Sequence, residues 1–248
     1  MKNLPDPLSA IASVAPNPAR PWDARLARWL VTPLRHTRIT PNHLTTLRLL
    51  IGTSCAVAFG VGGYGFANLG AVLLVLSNFV DHTDGELARV SGKTSRFGHF
   101  YDLACDAFVT VALFVGIGVG VGTEHGGFTL AALGPALGPY GSGLHITPTL
   151  LGWLAGVAVA LIFVLRLQIE EREGKAGTRQ ASVGGFETED VLYLMPLVTL
   201  FNGTHGFLIA SAIGAPLFAL WVIWDFWRVT RRAATASASR AGGYEGAR

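Results

Sequence analysis

The chain has 248 residues, half of them hydrophobic and only 14% charged, with a formal net charge of +3. Ordinary soluble domains carry about 25% charged residues, so this balance, with a mean hydropathy of +0.44, points away from that class and toward an integral membrane protein. Alternating short strands are absent, which argues against a β-barrel, and Cys55 and Cys105, each inside an apolar run, read as small buried hydrophobes with no disulfide framework.

Residues 1–20 are rich in Pro and Ala without a period and read as a flexible cytoplasmic tail; they show no signal-peptide pattern. Over 21–39, Trp22, Leu26, Trp29 and Leu30 recur at helical spacing with Arg25 and Arg28 between them. That pattern predicts an amphipathic helix lying along the membrane interface. Thr40 and Pro41 supply a cap and a first turn for span one, about Leu44 to Val61. The second apolar run, Phe66 to Val80, continues as helix through Arg89 to a turn at Gly92. A third helix starts near Gly98 and is purely apolar from Asp106 to Val121. Residues 122–147 form an outer loop rich in Gly and Pro. Span four covers about Pro148 to Leu167, and a polar loop follows it. Span five starts near Glu189 and ends before Asn202, and span six runs from about Phe207 to Trp227. Residues 229–248 read as a flexible basic tail. The expected fold is an all-α integral membrane protein: six transmembrane helices within 40–228, preceded by the interfacial helix.

Charge placement orients this layout. With six spans and the N-terminus inside, all nineteen Lys and Arg fall on the inner side or at inner helix ends, and the loops at 62–66, 122–147 and 202–206 contain none. Such asymmetry puts both termini on the cytoplasmic side. It also assigns the basic balance to anionic lipid headgroups and not to nucleic acid.

The chemistry concentrates between Asp81 and Asp106, where four aspartates stand between two apolar runs. Asp81, Asp84, Gly85 and Ala88 share one helical face, and Gly98, Asp102 and Asp106 share another. The turn between these helices is short, so they are expected to be antiparallel neighbours with facing acids. Four carboxylates at the hydrocarbon edge cost several kcal/mol each unless neutralised. All-oxygen ligands favour Mg²⁺, Ca²⁺ or Mn²⁺, and two ions ~3.5–4 Å apart would suit a phosphoryl-transfer centre. Gly85, Ala88 and Gly98 leave room for a ligand beside the helices, and Arg89 is placed to hold a phosphate, so a pyrophosphate substrate is expected.

These residues read D-x-x-D-G-x-x-A-R, eight residues, then G-x-x-x-D-x-x-x-D. Eight fixed positions at fixed spacing arise by chance roughly once in a billion starts, at ~5–8% per residue type. The pattern resembles the CDP-alcohol phosphotransferase family, and the T-P-N-H-L-T-T-L-R opening of span one resembles it more loosely. The resemblance implies transfer of a substituted phosphate from a CDP-linked donor, foremost CDP-diacylglycerol, to an alcohol, with release of CMP. It implies metal binding by Asp81, Asp84 and Asp102, and a general-base role for Asp106 that can also contribute to metal binding. It places Gly85, Ala88 and Arg89 against the CDP moiety and its phosphates. The implied cofactors are two divalent ions, Mg²⁺ or Mn²⁺, and a homodimer is common in the family.

Other residues are open. Asn42 and Thr45 stand at the same mouth as candidate cytidine contacts. Arg48 either snorkels to the inner surface or faces the nucleotide cavity. His82 and His99 suit a cavity wall better than metal ligation, and His125, His145 and His205 take no role. Arg96, Arg166, Lys175 and Arg179, with Arg172, are candidates for a phosphorylated acceptor such as inositol phosphate or glycerol phosphate. Gly184–Glu187 is a candidate lid. A sibling reading has a CDP-linked headgroup donated to a lipid alcohol. A reading of another class is a divalent-cation transporter, disfavoured because the acids lie near one face and spans four to six offer no acidic partners toward the outside.

Overall fold

The computed structural model describes residues 22–130, 144–173 and 193–245. In chain order the helices are α1 (Trp22–Val31), α2 (Pro41–Val61), α3 (Tyr64–Ser91), α4 (Arg96–His125), α5 (Pro148–Glu173), α6 (Met195–Leu200) and α7 (Thr204–Glu245). A 3₁₀ turn, Thr32–His36, joins α1 to α2, and two short strands, β1 (Phe128–Leu130) and β2 (Leu144–Ile146), pair antiparallel between α4 and α5. Five helices, α2, α3, α4, α5 and α7, are long and apolar enough to cross a membrane.

Element boundaries follow local chemistry. Thr40 precedes Pro41 at the start of α2, and its N–H donates to His43 Nδ1 at 3.1 Å. The α2–α3 turn uses Gly62 and Gly63 at φ of +76° and +82°, a region closed to most side chains. Ser95 caps α4 by accepting from the Gly98 N–H at 2.9 Å. Lys93 Nζ donates to the carbonyls of Thr37 and Ile39 at 2.6 and 3.1 Å, tying the α3–α4 turn to the α1–α2 linker.

Glycines set how closely the helices pack. A Cβ on Gly116 would lie 2.2 Å from the Ala56 carbonyl oxygen, and one on Gly120 would lie 2.0 Å from that of Phe59. These two positions, four apart on α4, let its backbone meet that of α2. A Cβ on Gly152 of α5 would lie 2.2 Å from the Phe114 carbonyl oxygen, so α4 and α5 meet in the same way. Cys55, Phe59, Leu74, Leu113, Ile117 and Leu208 fill the core beside these contacts, and Ala158, Ile162, Ala219 and Val222 form a second core between α5 and α7. Leu50, Val57, Val72, Leu217 and Leu220 stay exposed, which suits a hydrocarbon surround.

Several expectations need correction. Among the described residues the fifth expected span is represented only by Tyr193–Leu200, of which α6 is six residues long. That segment runs beside α3: Thr199 Oγ1 donates to Asn68 Oδ1 at 2.9 Å, and Tyr64 Oη donates to the Leu200 carbonyl at 3.5 Å. Its expected start near Glu189, the polar loop after span four and the candidate lid lie outside the described residues, as does the 1–20 tail. The outer loop contains the β1–β2 pair, which short runs of three residues did not announce. The last helix does not stop near Trp227 but continues to Glu245, because the Ala-rich stretch after Arg232 favours helix. Cys55 and Cys105 are buried and free, as expected.

Candidate active site

Asp81 lies on α3, and Asp102 and Asp106 lie on α4. Each offers one carboxylate oxygen, and the three oxygens lie within 4.8 Å of one another. The antiparallel turn through Gly92, with φ +67°, brings the two acidic faces together as their spacing predicts.

Asp84 is not in this group. It is three residues past Asp81, about 60° around the helix, and that rotation turns it toward α2. Its carboxylate is buried at 4% exposure, and its Oδ2 accepts from Thr45 Oγ1 at 2.7 Å. The candidate cytidine contact Thr45 therefore touches a motif aspartate. One helical turn on, α2 also supplies Arg48. It is 7% exposed, with Nη1 2.7 Å from Asp81 Oδ1, 3.9 Å from Asp102 Oδ1 and in an ion pair with Asp106. Arg48 does not reach out to the surface: its guanidinium faces the three aspartates. The centre is thus built by three helices and not two.

The residues present fit a divalent cation. Three hard oxygen ligands, one each from Asp81, Asp102 and Asp106, lie within 4.8 Å of one another with the single guanidinium of Arg48 facing them.

The other predicted residues are placed as follows. Gly85 has only Arg89 Nη2, at 3.6 Å, near the point where a Cβ would stand, so the space beside it is open. Ala88 is half-buried on the same helix. Gly98 differs: a Cβ there would lie 2.8 Å from Asn42 Oδ1, so this glycine closes α4 against Asn42 instead of opening a groove. Arg89 is exposed and ion-paired with Glu86, and Arg96 is exposed at the first residue of α4. Arg166 stacks over the Phe218 ring at 5.2 Å on α7. Lys175 and Arg179 lie outside the described residues. His82 Nδ1 lies 3.3 Å from Tyr193 Oη, in keeping with a wall position.

One residue escaped the sequence reading. Glu86 occupies a variable motif position, yet it is 1% exposed and lies between Arg89 and Arg28 of α1, the latter at 3.9 Å. Its i, i+3 spacing to Arg89 was visible, but the partner on α1 was not.

Five long apolar helices with a cluster of carboxylate oxygens near one end define the class: an integral membrane protein with a candidate cation site. Residues 38–230 match the CDP-alcohol phosphatidyltransferase family, and the chain belongs to it. It is 34% identical over 82 residues to a bifunctional IPC transferase and DIPP synthase of Aquifex aeolicus, covering 33% of this chain and 18% of that protein. It is 35% identical over 82 residues to an archaetidylinositol phosphate synthase of Pyrococcus horikoshii, covering 33% of this chain and 42% of that one. The match thus spans less than half the length of either relative. A solved phosphatidylinositol phosphate synthase of Mycobacterium tuberculosis, with CDP-DAG bound, aligns at 19% identity and TM-score 0.46 over 85% of this chain and 92% of that one.

Proposed function

We propose that the protein transfers a substituted phosphate from a CDP-linked lipid, foremost CDP-diacylglycerol, to the hydroxyl of a small polar alcohol, releasing CMP. The convergence of Asp81, Asp102 and Asp106 within 4.8 Å, in a chain of this family, carries the reading. These three, with Asp84 beside them, would hold Mg²⁺ or Mn²⁺, two ions being expected from the carboxylate count. Such ions would neutralise the donor's diphosphate and lower the barrier to displacement. The chain's own groups do the rest. Asp106 takes the proton of the attacking hydroxyl, and Thr45 keeps Asp84 in register. Gly85 and Ala88 leave the helix surface smooth for the CDP moiety, with Asn42 and Gly98 at the same mouth. Arg89 reaches the donor phosphates by leaving Glu86.

An apolar groove of about 470 Å³ supports a lipid on the donor. It lies between α2 and α4 and is lined by Leu49, Leu50, Thr53, Ser54, Val57 and Phe108. One matched relative is named for archaetidylinositol phosphate, so an inositol phosphate is the first acceptor to test. Arg96, Arg166, Lys175 and Arg179 are the cations proposed to meet it. The lack of Lys and Arg in the 62–66, 122–147 and 202–206 segments supports a cytoplasmic active site and cytoplasmic termini, with α1 in the interface. A homodimer belongs to the proposal; Gly116, Gly120 and Gly152 are used within the chain, so its surface lies elsewhere.

The test is CMP release by the purified protein with CDP-diacylglycerol, a panel of alcohols and Mg²⁺ or Mn²⁺. Release that needs donor, alcohol and metal together supports the reading. Label carried from a CDP-linked headgroup to a lipid alcohol would reverse donor and acceptor. No CMP with any pairing would falsify the proposal.

A further inference from the structure

The acidic centre is faced by a cation that the chain itself supplies. The Arg48 stem is buried in the helix bundle, and its guanidinium turns toward the acids instead of the membrane surface. Its Nε and Nη1 are buried and, like Asp102 Oδ1 and Asp106 Oδ1, have no hydrogen-bond partner among the described residues. The guanidinium Nη1 lies 2.7 Å from Asp81 Oδ1, 3.9 Å from Asp102 Oδ1 and in an ion pair with Asp106. A guanidinium keeps its charge at any pH the protein meets. Three carboxylates against one guanidinium leave a formal −2 at a site whose oxygens lie within 4.8 Å (−3 + 1 = −2). One built-in charge is too little to neutralise the cluster.

We propose that Arg48 is a resident counter-ion. It keeps the three carboxylates assembled when no divalent ion is bound, and it competes with that ion for the same oxygens. The site is thereby preformed at the expense of cation affinity, because each arriving ion meets a positive charge already among its ligands. This inference rests on the reading of Asp81, Asp102 and Asp106 as metal ligands.

The experiment is a titration of the full detergent-solubilised chain with Mn²⁺, following the free ion by electron paramagnetic resonance, with thermal melts in EDTA and in saturating Mn²⁺. Arg48→Met is expected to bind Mn²⁺ at least about tenfold tighter than wild type, since one repulsive charge is gone. Arg48→Lys, which keeps the charge, should stay within about threefold. In EDTA, Arg48→Met should melt well below wild type, and Mn²⁺ should restore most of the difference. Unchanged or weaker Mn²⁺ binding in Arg48→Met, or an equal melting deficit with and without Mn²⁺, would overturn the counter-ion role. If Arg48→Met does not fold, Arg48→Gln removes the same charge and carries the same expectation. Wild-type protein that binds no Mn²⁺, or binds it as well after Asp81→Asn, would overturn the metal reading itself and this inference with it.

Discussion

The two ends of α4 are joined to α2 by opposite means. Toward its C-terminus, Gly116 and Gly120 let backbone touch backbone, with no room for even a methyl group against the Ala56 and Phe59 carbonyls. Toward its N-terminus, the same pair of helices meets through charged side chains, Asp102 and Asp106 against Arg48. The first contact is apolar and close. The second is polar, and part of it has no hydrogen-bond partner among the described residues. A close backbone contact at one end of the helix pair limits how far the two helices can swing apart to relieve repulsion among the acids at the other.

Neutralising the proposed base at the polar end should abolish chemistry while sparing the fold. Asp106→Asn is expected to lower kcat by about a thousandfold or more, with donor binding and melting temperature nearly unchanged; CMP release and donor titration would check this. Normal turnover in that variant would remove the base assignment. EDTA should likewise stop turnover, and Mg²⁺ or Mn²⁺ should restore it.

Breaking the glycine end should do the reverse. Gly120→Leu forces side-chain atoms onto the Phe59 carbonyl, and overpacking of this kind costs about 1–3 kcal/mol or more. Thermal unfolding in detergent should show a lowered midpoint although every motif residue is intact. A wild-type midpoint would mean that the close contact is not a clamp.

Smaller perturbations sharpen the comparison. Thr45→Val deletes the hydroxyl that holds Asp84 while keeping the shape, and loss of such a supporting hydrogen bond typically costs 10–100-fold in activity or metal affinity. Its melting temperature should move little. Phe218→Leu removes the ring under Arg166 and should cost up to about 1 kcal/mol of stability, the scale of a cation–π contact. If Arg166 meets the acceptor, the same change should also alter the acceptor KM more than kcat.

Much of this was legible before any coordinates. The starts of α2 and α4 follow from Thr40-Pro41 and Ser95, local signals that need no tertiary contact. The shared face of Asp102 and Asp106 follows from a spacing of four. Asp84 shows where that logic stops: i, i+3 residues are neighbours, yet the 60° between them leaves Asp81 with Arg48 and the α4 acids and puts Asp84 on Thr45, apart from that cluster. Gly98 shows a second limit, since a missing side chain is equally compatible with an open groove and with a neighbour already filling the space.

The sequence alone determined the apolar helices, the motif and the helical faces on which its acids stand, because hydrophobic period and capping act over a few residues. Only the tertiary structure decided that α2 completes the centre through Thr45 and Arg48, and that Glu86 is sealed between Arg28 and Arg89. Those pairings depend on the rotation and separation of helices distant in sequence, and no local period encodes them.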